Sequence, residues 1–284
     1  MTSYLVGLIG AGIGPSLSPA LHEREADHHG LRYLYRLIDI AGLGLDAGAG
    51  GELVRTARRL GYTGLNITHP CKQTVIAHLD ELSPEAAELG AVNTVTFEGD
   101  RAVGHNTDWT GFARSFARGL PGAKTRRIVQ LGAGGAGAAV AHALLTLGAG
   151  HVAVVDERPD RATSLVADLT RRFGAGRARV GSAGDLAGLL RAADGLVNAT
   201  PVGMAAHPGM PVPAELLRPD LWVADVVYRP LETDLLRAAS KLGCRTLDGG
   251  GMVVFQAAQA FRFFTGIEPD GERMLAHLSH LVNA

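Results

Sequence analysis

Residues 127–159, RIVQLGAGGAGAAVAHALLTLGAGHVAVVDERP, decide the fold. The apolar run Ile128 to Leu131 has the length of a buried strand. Gly132, Gly134 and Gly137 follow in G-x-G-x-x-G spacing and open a helix of small residues, Gly135 to Leu147, before a second strand from His151 to Asp156. Strand, glycine turn, helix and strand make one βαβ unit of a parallel sheet. In such a loop the first glycine permits the tight turn and the second lets backbone approach a pyrophosphate. The third lets the helix pack on the strand, and the N–H groups of the helix start face the phosphates. With Gly135 and Ala136 between them, these residues predict dinucleotide binding; a tight turn that carries no nucleotide is the plainer reading. Asp156 ends the next strand, where a carboxylate accepts from a ribose 2′-OH and repels a 2′-phosphate. Arg158 and Arg161 point the other way, since a guanidinium pairs with phosphate. The expected cofactor is NAD, with NADP as the alternative.

Outward from this unit the alternation continues. Towards the C-terminus it predicts helix Arg161 to Phe173, strand Ala178 to Val180, helix Leu186 to Ala192 and strand Gly195 to Asn198. Strand Trp222 to Val227, helix Thr233 to Leu242 and strand Cys244 to Leu247 follow. Towards the N-terminus lie strand Tyr4 to Ile9 and a helix running to about His29, with Ser18 as its cap and Pro19 in its first turn. Strand Leu31 to Ile38, helix Glu52 to Leu60 and strand Gly64 to Thr68 come next. Pro70 is expected to open another helix and Ser83-Pro84-Glu85 a third. Short strands Ala91 to Phe97 and Arg101 to Gly104 complete the region, and the tail, Gly251 to Phe264 and Gly271 to Val282, is helical. The expected fold is α/β in two domains, an N-terminal α/β substrate domain and a Rossmann-type domain with a parallel sheet and helices on both faces. Residues 1–108 form a substrate domain, 109–248 a Rossmann-type dinucleotide domain, and 249–284 helices that return to the first.

Composition limits the partners. The chain has 284 residues, 46% hydrophobic and 19% charged, with a formal net charge of −1. That balance carries no polyanion-binding footprint, and 5% aromatic content leaves little for base stacking, so nucleic acid is not an expected partner. No apolar run reaches the ~18 residues of a membrane span, and the start lacks the pattern of a signal peptide. Two cysteines, Cys71 and Cys244, make no disulfide framework, so a cytoplasmic protein is expected. The 11 histidines show no metal-ligand spacing, His28-His29 reading as a solvated helix end, and no metal is expected. Glycines number 38, about twice the usual ~7%, and they sit where strands turn into helices.

Polar clusters gather at element ends of the first domain. Ser16 and Ser18 sit two apart; capping explains Ser18 and leaves Ser16 over. Asn66-Ile67-Thr68-His69-Pro70-Cys71-Lys72 leaves a strand and enters the helix expected at Pro70. A lysine in a first turn opposes the helix dipole, so Lys72 either has a task or is a solvated charge. Cys71 reads as small packing. Ala91-Val92-Asn93-Thr94 and Gly104-His105-Asn106-Thr107-Asp108 are the remaining clusters. Gly10-Ala11-Gly12-Ile13-Gly14 imitates the glycine fingerprint but has Pro15 at the third glycine position.

The ordered set S-L-S-P, N-I-T-H-P-C-K, G-A-V-N-T, N-T-D, G-A-G-G-A-G, N-A-T-P-V-G-M, D-V-V-Y-R-P and G-M-V-V-F-Q-A resembles the shikimate/quinate dehydrogenase family across essentially the whole chain. The resemblance implies NAD(P)-linked oxidation of a ring hydroxyl of shikimate or quinate, hence a place in the shikimate pathway, aromatic amino acid biosynthesis or quinate metabolism. It implies a small carboxylate polyol as substrate and a monomer or homodimer. Lys72 and Asp108 match the catalytic pair, which takes and returns the hydroxyl proton. Ser16, Ser18 and Tyr228 match donors to the substrate carboxylate. Asn66, Thr68, Asn93 and Gln256 match groups around the ring hydroxyls, where amides both donate and accept. Thr200, Val202, Gly203, Val227, Gly249 and Met252 match the nicotinamide pocket, although Met252 alone reads as core.

Departures from the commonest family pattern favour one branch. Asp156-Glu157-Arg158-Pro159 stands where NADP-preferring members resemble N-R-T, and His22-Glu23 stands where many carry His-Asn. Both point to the NAD-dependent quinate/shikimate branch. Ser18 replaces a threonine of members active on quinate and leans towards shikimate. The alternatives are an NADP-preferring biosynthetic enzyme, a dehydrogenase for an amino-substituted analogue, and a non-catalytic dinucleotide or metabolite sensor; retention of both Lys72 and Asp108 disfavours the sensor.

Overall fold

The computed structural model describes residues 3–283; Met1, Thr2 and Ala284, which end the expected domains, lie outside the described residues. In chain order the first elements are β1 (Ser3–Gly10), α1 (Ser18–His28), β2 (Arg32–Asp39), α2 (Gly50–Arg59) and β3 (Gly64–Ile67). Next come β4 (Glu81–Leu82), α3 (Pro84–Leu89), β5 (Thr94–Glu98), β6 (Arg101–His105), α4 (Asp108–Gly119), β7 (Arg127–Leu131) and α5 (Gly135–Thr146). They are followed by β8 (His151–Val155), α6 (Pro159–Phe173), β9 (Ala178–Val180), α7 (Leu186–Arg191), β10 (Gly195–Asn198) and β11 (Trp222–Asp225). The last are α8 (Asp234–Lys241), β12 (Thr246–Leu247), α9 (Gly250–Thr265) and α10 (Gly271–Asn283). These elements fall into two compact units. One runs to Thr107 and resumes at Val254; the other is Asp108–Val253. No helix among the described residues is long and apolar enough to cross a membrane.

The second unit is a Rossmann-type parallel sheet in the order β12-β11-β10-β7-β8-β9. Side chains alternate across it, as the two-residue strand period requires. Ile128, Val152, Val154 and Val197 pack with Phe112, Phe116, Val140, Leu144 and Leu169 on one face. Val129, Leu131, Ala153, Leu196 and Val223 pack with Leu189, Leu190, Leu235 and Leu236 on the other. Connections run one way from β7 to β8 and the other way from β10 to β11. The switch point therefore lies at the carboxyl ends of β7 and β10, where open α/β sheets take ligands.

The sheet of the first unit, β2-β1-β3-β5-β6-β4, is mixed. β3 pairs antiparallel with β5, and β5 with β6. The reason is local: β5 and β6 are joined by Gly99-Asp100 alone, with Glu98 opposite Arg101, and a two-residue link serves only an antiparallel pair. Two helix expectations are corrected. The chain turns over 69–73 and forms only a 3-10 helix, Thr74–His78, where Pro70 was expected to open an α-helix. The β-branched run Thr74-Val75-Ile76 weakens an α-helix there. In α1 the cap is Leu17 and not Ser18.

The returning tail is tied down by a buried carboxylate. Glu25 on α1 is 1% exposed and accepts from Arg273 Nε (2.9 Å) and Nη2 (2.5 Å) and from the Asp270 N–H (2.8 Å). Burial pushes its pKa up, but the bonds from Arg273, Asp270 and His29 outweigh this and hold it below the usual carboxylate value. His29, expected to be solvated, instead meets Glu25 at 3.0 Å, whereas His28 is exposed.

Candidate functional site

The glycine loop of the second unit has the geometry its spacing predicts. Gly132 adopts φ +94°, which disfavours any side chain, and its N–H donates to Val155 O at 2.8 Å. A Cβ on Gly137 would stand 2.2 Å from Gly132 O, so α5 closes on the turn as only glycine allows. Cβ atoms on Gly134 and Gly135 would meet nothing within 4 Å. The loop is thus tight at its two ends and open in the middle, beside a half-buried Ala136 at the start of α5.

Asp156, just beyond β8, faces this loop. Its carboxylate accepts from the Ala133 N–H (2.6 Å) and the Arg158 N–H (2.9 Å). The Arg158 guanidinium pairs with Asp160 at 3.2 Å, and Arg161 is exposed. At the end of β10, Asn198 organises the second loop of the switch point. Its Oδ1 accepts from the Thr200 N–H and Oγ1–H, and its Nδ2 donates to Val202 O (2.9 Å) and Asp225 Oδ1 (3.0 Å). Asp225 also receives the Val227 N–H (3.0 Å) and Thr233 Oγ1–H (2.8 Å). Burial nevertheless pushes its carboxyl up to about 6. Gly203 has φ +105°, and Gly249 lies so close to Val226 and Val227 that a Cβ would stand 2.3 Å from Val226 O. Tyr228 is half-buried, and burial raises its phenol. Met252 is 9% exposed and belongs to the core cluster of α4 and α5, as its plainer reading held.

In the first unit the polar residues form a serine pair and a separate hydrogen-bonded network. Ser16 Oγ receives the Ser18 N–H (3.3 Å) and meets Ser18 Oγ (3.2 Å). Ser16 thus turns onto the first residue of α1, and neither serine is its cap. Separately, the Tyr35 hydroxyl donates to Asn66 Oδ1 at 2.8 Å. Asn66 Nδ2 extends the network to Asn93 O (3.3 Å) and Thr94 Oγ1 (3.1 Å). Asn93 Oδ1 receives the Thr107 N–H at 2.7 Å, while Nδ2 reaches Thr107 Oγ1 (3.0 Å) and Gln256 Oε1 (3.5 Å). Thr68 ends β3 half-buried, its N–H on Ile9 O at 2.9 Å.

Lys72 lies in the turn after β3, with its backbone O receiving the Val92 N–H at 2.8 Å. No α-helix starts there, so the helix-dipole argument for Lys72 does not apply; its side chain is half-buried. Asp108 opens α4 and is 8% exposed. Cys71 is fully buried and burial raises its thiol, consistent with packing. The imitation fingerprint after β1 closes on the protein itself: Asp39, ending β2, accepts from the N–H groups of Gly12 (2.9 Å) and Ile13 (3.2 Å).

Sequence reasoning missed Tyr35, Thr94, Gln130, Asn198 and Asp225. The signal for three of them was present: Gln130, Asn198 and Asp225 are polar residues inside short apolar strands, 0%, 0% and 3% exposed. Tyr35 and Thr94 carried none, because either residue is ordinary in a strand.

The family described as shikimate dehydrogenase substrate binding domain matches residues 8–95. The shikimate dehydrogenase (NADP(+)) of Streptomyces avermitilis is 71% identical over 98% of this chain and 96% of its own. The quinate/shikimate dehydrogenase (NAD(+)) of Corynebacterium efficiens is 50% identical over 96% of this chain and 97% of its own. Among solved structures, quinate dehydrogenase from Corynebacterium glutamicum in complex with NAD superimposes with a TM-score of 0.94 at 47% identity, covering 98% of this chain and 99% of that one.

Proposed function

Because the chain belongs to the shikimate dehydrogenase family, we propose that it oxidises a ring hydroxyl of shikimate, and of quinate, to the 3-dehydro acid with NAD. The observation that carries the reading is the hydrogen-bonded network that runs from Tyr35 through Asn66 and Asn93 to Gln256, with the Ser16–Ser18 hydroxyl pair beside it in the same unit. It lines up hydroxyls and amides, each able to donate and accept, which suits a polyol. Ser16, Ser18 and Tyr228 hold the carboxylate. Asn93, Gln256 and Thr68 meet ring hydroxyls, and Asn66, its amide already engaged at both ends, orients the others. Lys72 and Asp108 handle the hydroxyl proton, taking it as the alcohol is oxidised and returning it in reduction.

The residues of the second unit fit a dinucleotide, with a glycine loop open in its middle and closed at its ends. Gly132, Gly134, Gly135, Ala136 and Gly137 receive the pyrophosphate, and Thr200, Val202, Gly203, Val227, Gly249 and Met252 flank the nicotinamide. When bound, the dinucleotide accepts the hydride. NAD is the proposed form because Asp156 holds a carboxylate at the ribose position while Arg158 is paired with Asp160. The second reading, NADP, is favoured by the name of the 71% identical relative, and Arg158 and Arg161 would then face the 2′-phosphate. A cytoplasmic enzyme without a metal goes with either reading.

Initial rates with shikimate and quinate, each against NAD and NADP, test the proposal. Reduction of NAD by shikimate supports it, and NADP preference moves the assignment to the second reading. In Lys72→Ala, turnover should fall about 10²–10⁴-fold with the dinucleotide Kd unchanged. Near-normal turnover in that variant would sink the role of Lys72.

A further inference from the structure

Gln130 is the anomaly of the second unit. It sits in the central strand β7 with 0% exposure, where neighbours on both sides are apolar. Its Nε2 donates to Gly132 O and to Gly137 O, each at 2.9 Å. Its Oε1 is buried without a hydrogen-bond partner. A buried amide with an unsatisfied acceptor is costly, and an apolar side chain of equal volume would avoid that cost. What Gln130 supplies in return is a grip on the first and third glycines of the loop.

The grip reaches further through the peptide plane. The 132–133 peptide is trans, so its C=O and N–H point in opposite directions. Gln130 Nε2 holds the C=O side at 2.9 Å, and Asp156 Oδ2 holds the Ala133 N–H side at 2.6 Å. One plane is thus clamped from the core by Gln130 and from the loop by Asp156. Rotation of the plane would break both bonds together. The second Nε2 bond, to Gly137 O, ties the same amide to the first turn of α5.

We infer that Gln130 is a positioning residue for the dinucleotide site: by clamping the 132–133 peptide it fixes both the open middle of the glycine loop and the Asp156 carboxylate. The part concerning Asp156 rests on the proposed role of that residue at the ribose; the part concerning the loop does not. Gln130 lies beneath the loop and acts only through backbone.

Gln130→Met keeps chain length and volume while removing the two donors. The expected result is weaker binding of ADP by about tenfold, the worth of one net hydrogen bond, with a smaller loss for adenosine, which meets Asp156 but not the loop that holds the phosphates. The KM for NAD should rise in parallel, and the ratio of NAD to NADP use should shrink. The KM for shikimate, kcat and the melting temperature should stay near those of the parent. Unchanged ADP affinity and cofactor ratio in the folded variant overturn the inference, as does equal loss for adenosine and ADP. Asp156→Ser separates the two readings: if it leaves the cofactor ratio unchanged, Asp156 loses its ribose role while the ADP measurement still judges Gln130. Should the variant not fold, amide exchange on the parent protein decides, since the clamped Ala133 N–H must exchange far more slowly than those of Gly134 and Gly135. Equal rates overturn the clamp.

Discussion

Two single-methyl substitutions in the glycine loop should part stability from binding. In Gly137→Ala the new Cβ stands 2.2 Å from Gly132 O, 2.9 Å from Gly132 C and 3.1 Å from Gln130 Nε2. Ordinary contact begins at 3.4 Å, so α5 must retreat by about 1.2 Å (3.4 − 2.2), and both facing atoms are backbone that cannot swing aside. Overpacking of this kind costs about 1–3 kcal/mol. At about 2–4 °C per kcal/mol for a unit of this size, the melting temperature falls by roughly 2–12 °C. In Gly134→Ala the Cβ meets nothing within 4 Å, and φ −75°, ψ −169° suits alanine. Gly134 is the cap residue of α5, where alanine is a little worse than glycine, so stability should fall by less than about 1 kcal/mol. Its methyl instead fills the space left for the pyrophosphate and should weaken dinucleotide binding by more than about tenfold. Thermal unfolding followed by circular dichroism and titration with reduced dinucleotide followed by its fluorescence measure the two effects. The reasoning is refuted if Gly137→Ala melts like the parent, or if Gly134→Ala loses the greater stability and keeps its affinity.

Three further outcomes follow from the first unit. Burial holds His22 down to about 3 from 6.5, so the folded protein keeps it neutral while the unfolded chain protonates it. Its stabilisation is complete above 6.5 and is lost as the pH falls towards 3, a change of roughly 4–5 kcal/mol at ~1.4 kcal/mol per unit. His22→Phe, placed among Tyr33, Tyr35, Phe261 and Phe264, should flatten that acid limb in urea titrations at pH 4–6.5, and an unchanged slope would exclude His22 as its source. Glu25→Gln removes the charge facing Arg273, which is 32% exposed, so the loss stays below that of a fully buried pair, at about 1–3 kcal/mol. That loss should appear as early proteolysis or amide exchange in α10, and uniform destabilisation would place the effect elsewhere. Ser18→Ala should raise the KM for shikimate about tenfold or more without moving the KM for NAD, since hydrogen bonds to a carboxylate are among the stronger ones. A KM shift confined to NAD would remove Ser18 from the substrate set.

What the sequence by itself determined is local or periodic. The βαβ unit, the tight turn at Gly132, the close helix packing at Gly137 and the alternation of strands and helices in the second unit follow from turn chemistry and apolar spacing, and all are present in the structure. Tertiary structure alone decided matters that depend on which distant residues meet. The antiparallel pairings of β3, β5 and β6 arise because the two-residue link at Gly99-Asp100 forces a hairpin onto a sheet begun in parallel. The turn at 69–73 replaces an expected helix because Lys72 O is used by Val92, twenty residues on, and not by a helical neighbour. Tyr35 meets Asn66, and Gln130 meets Asp156 across one peptide plane, through side chains whose identities suggest nothing until their neighbours are in place. A hydrogen bond needs two partners within about 3 Å, and a single chain position states only one of them.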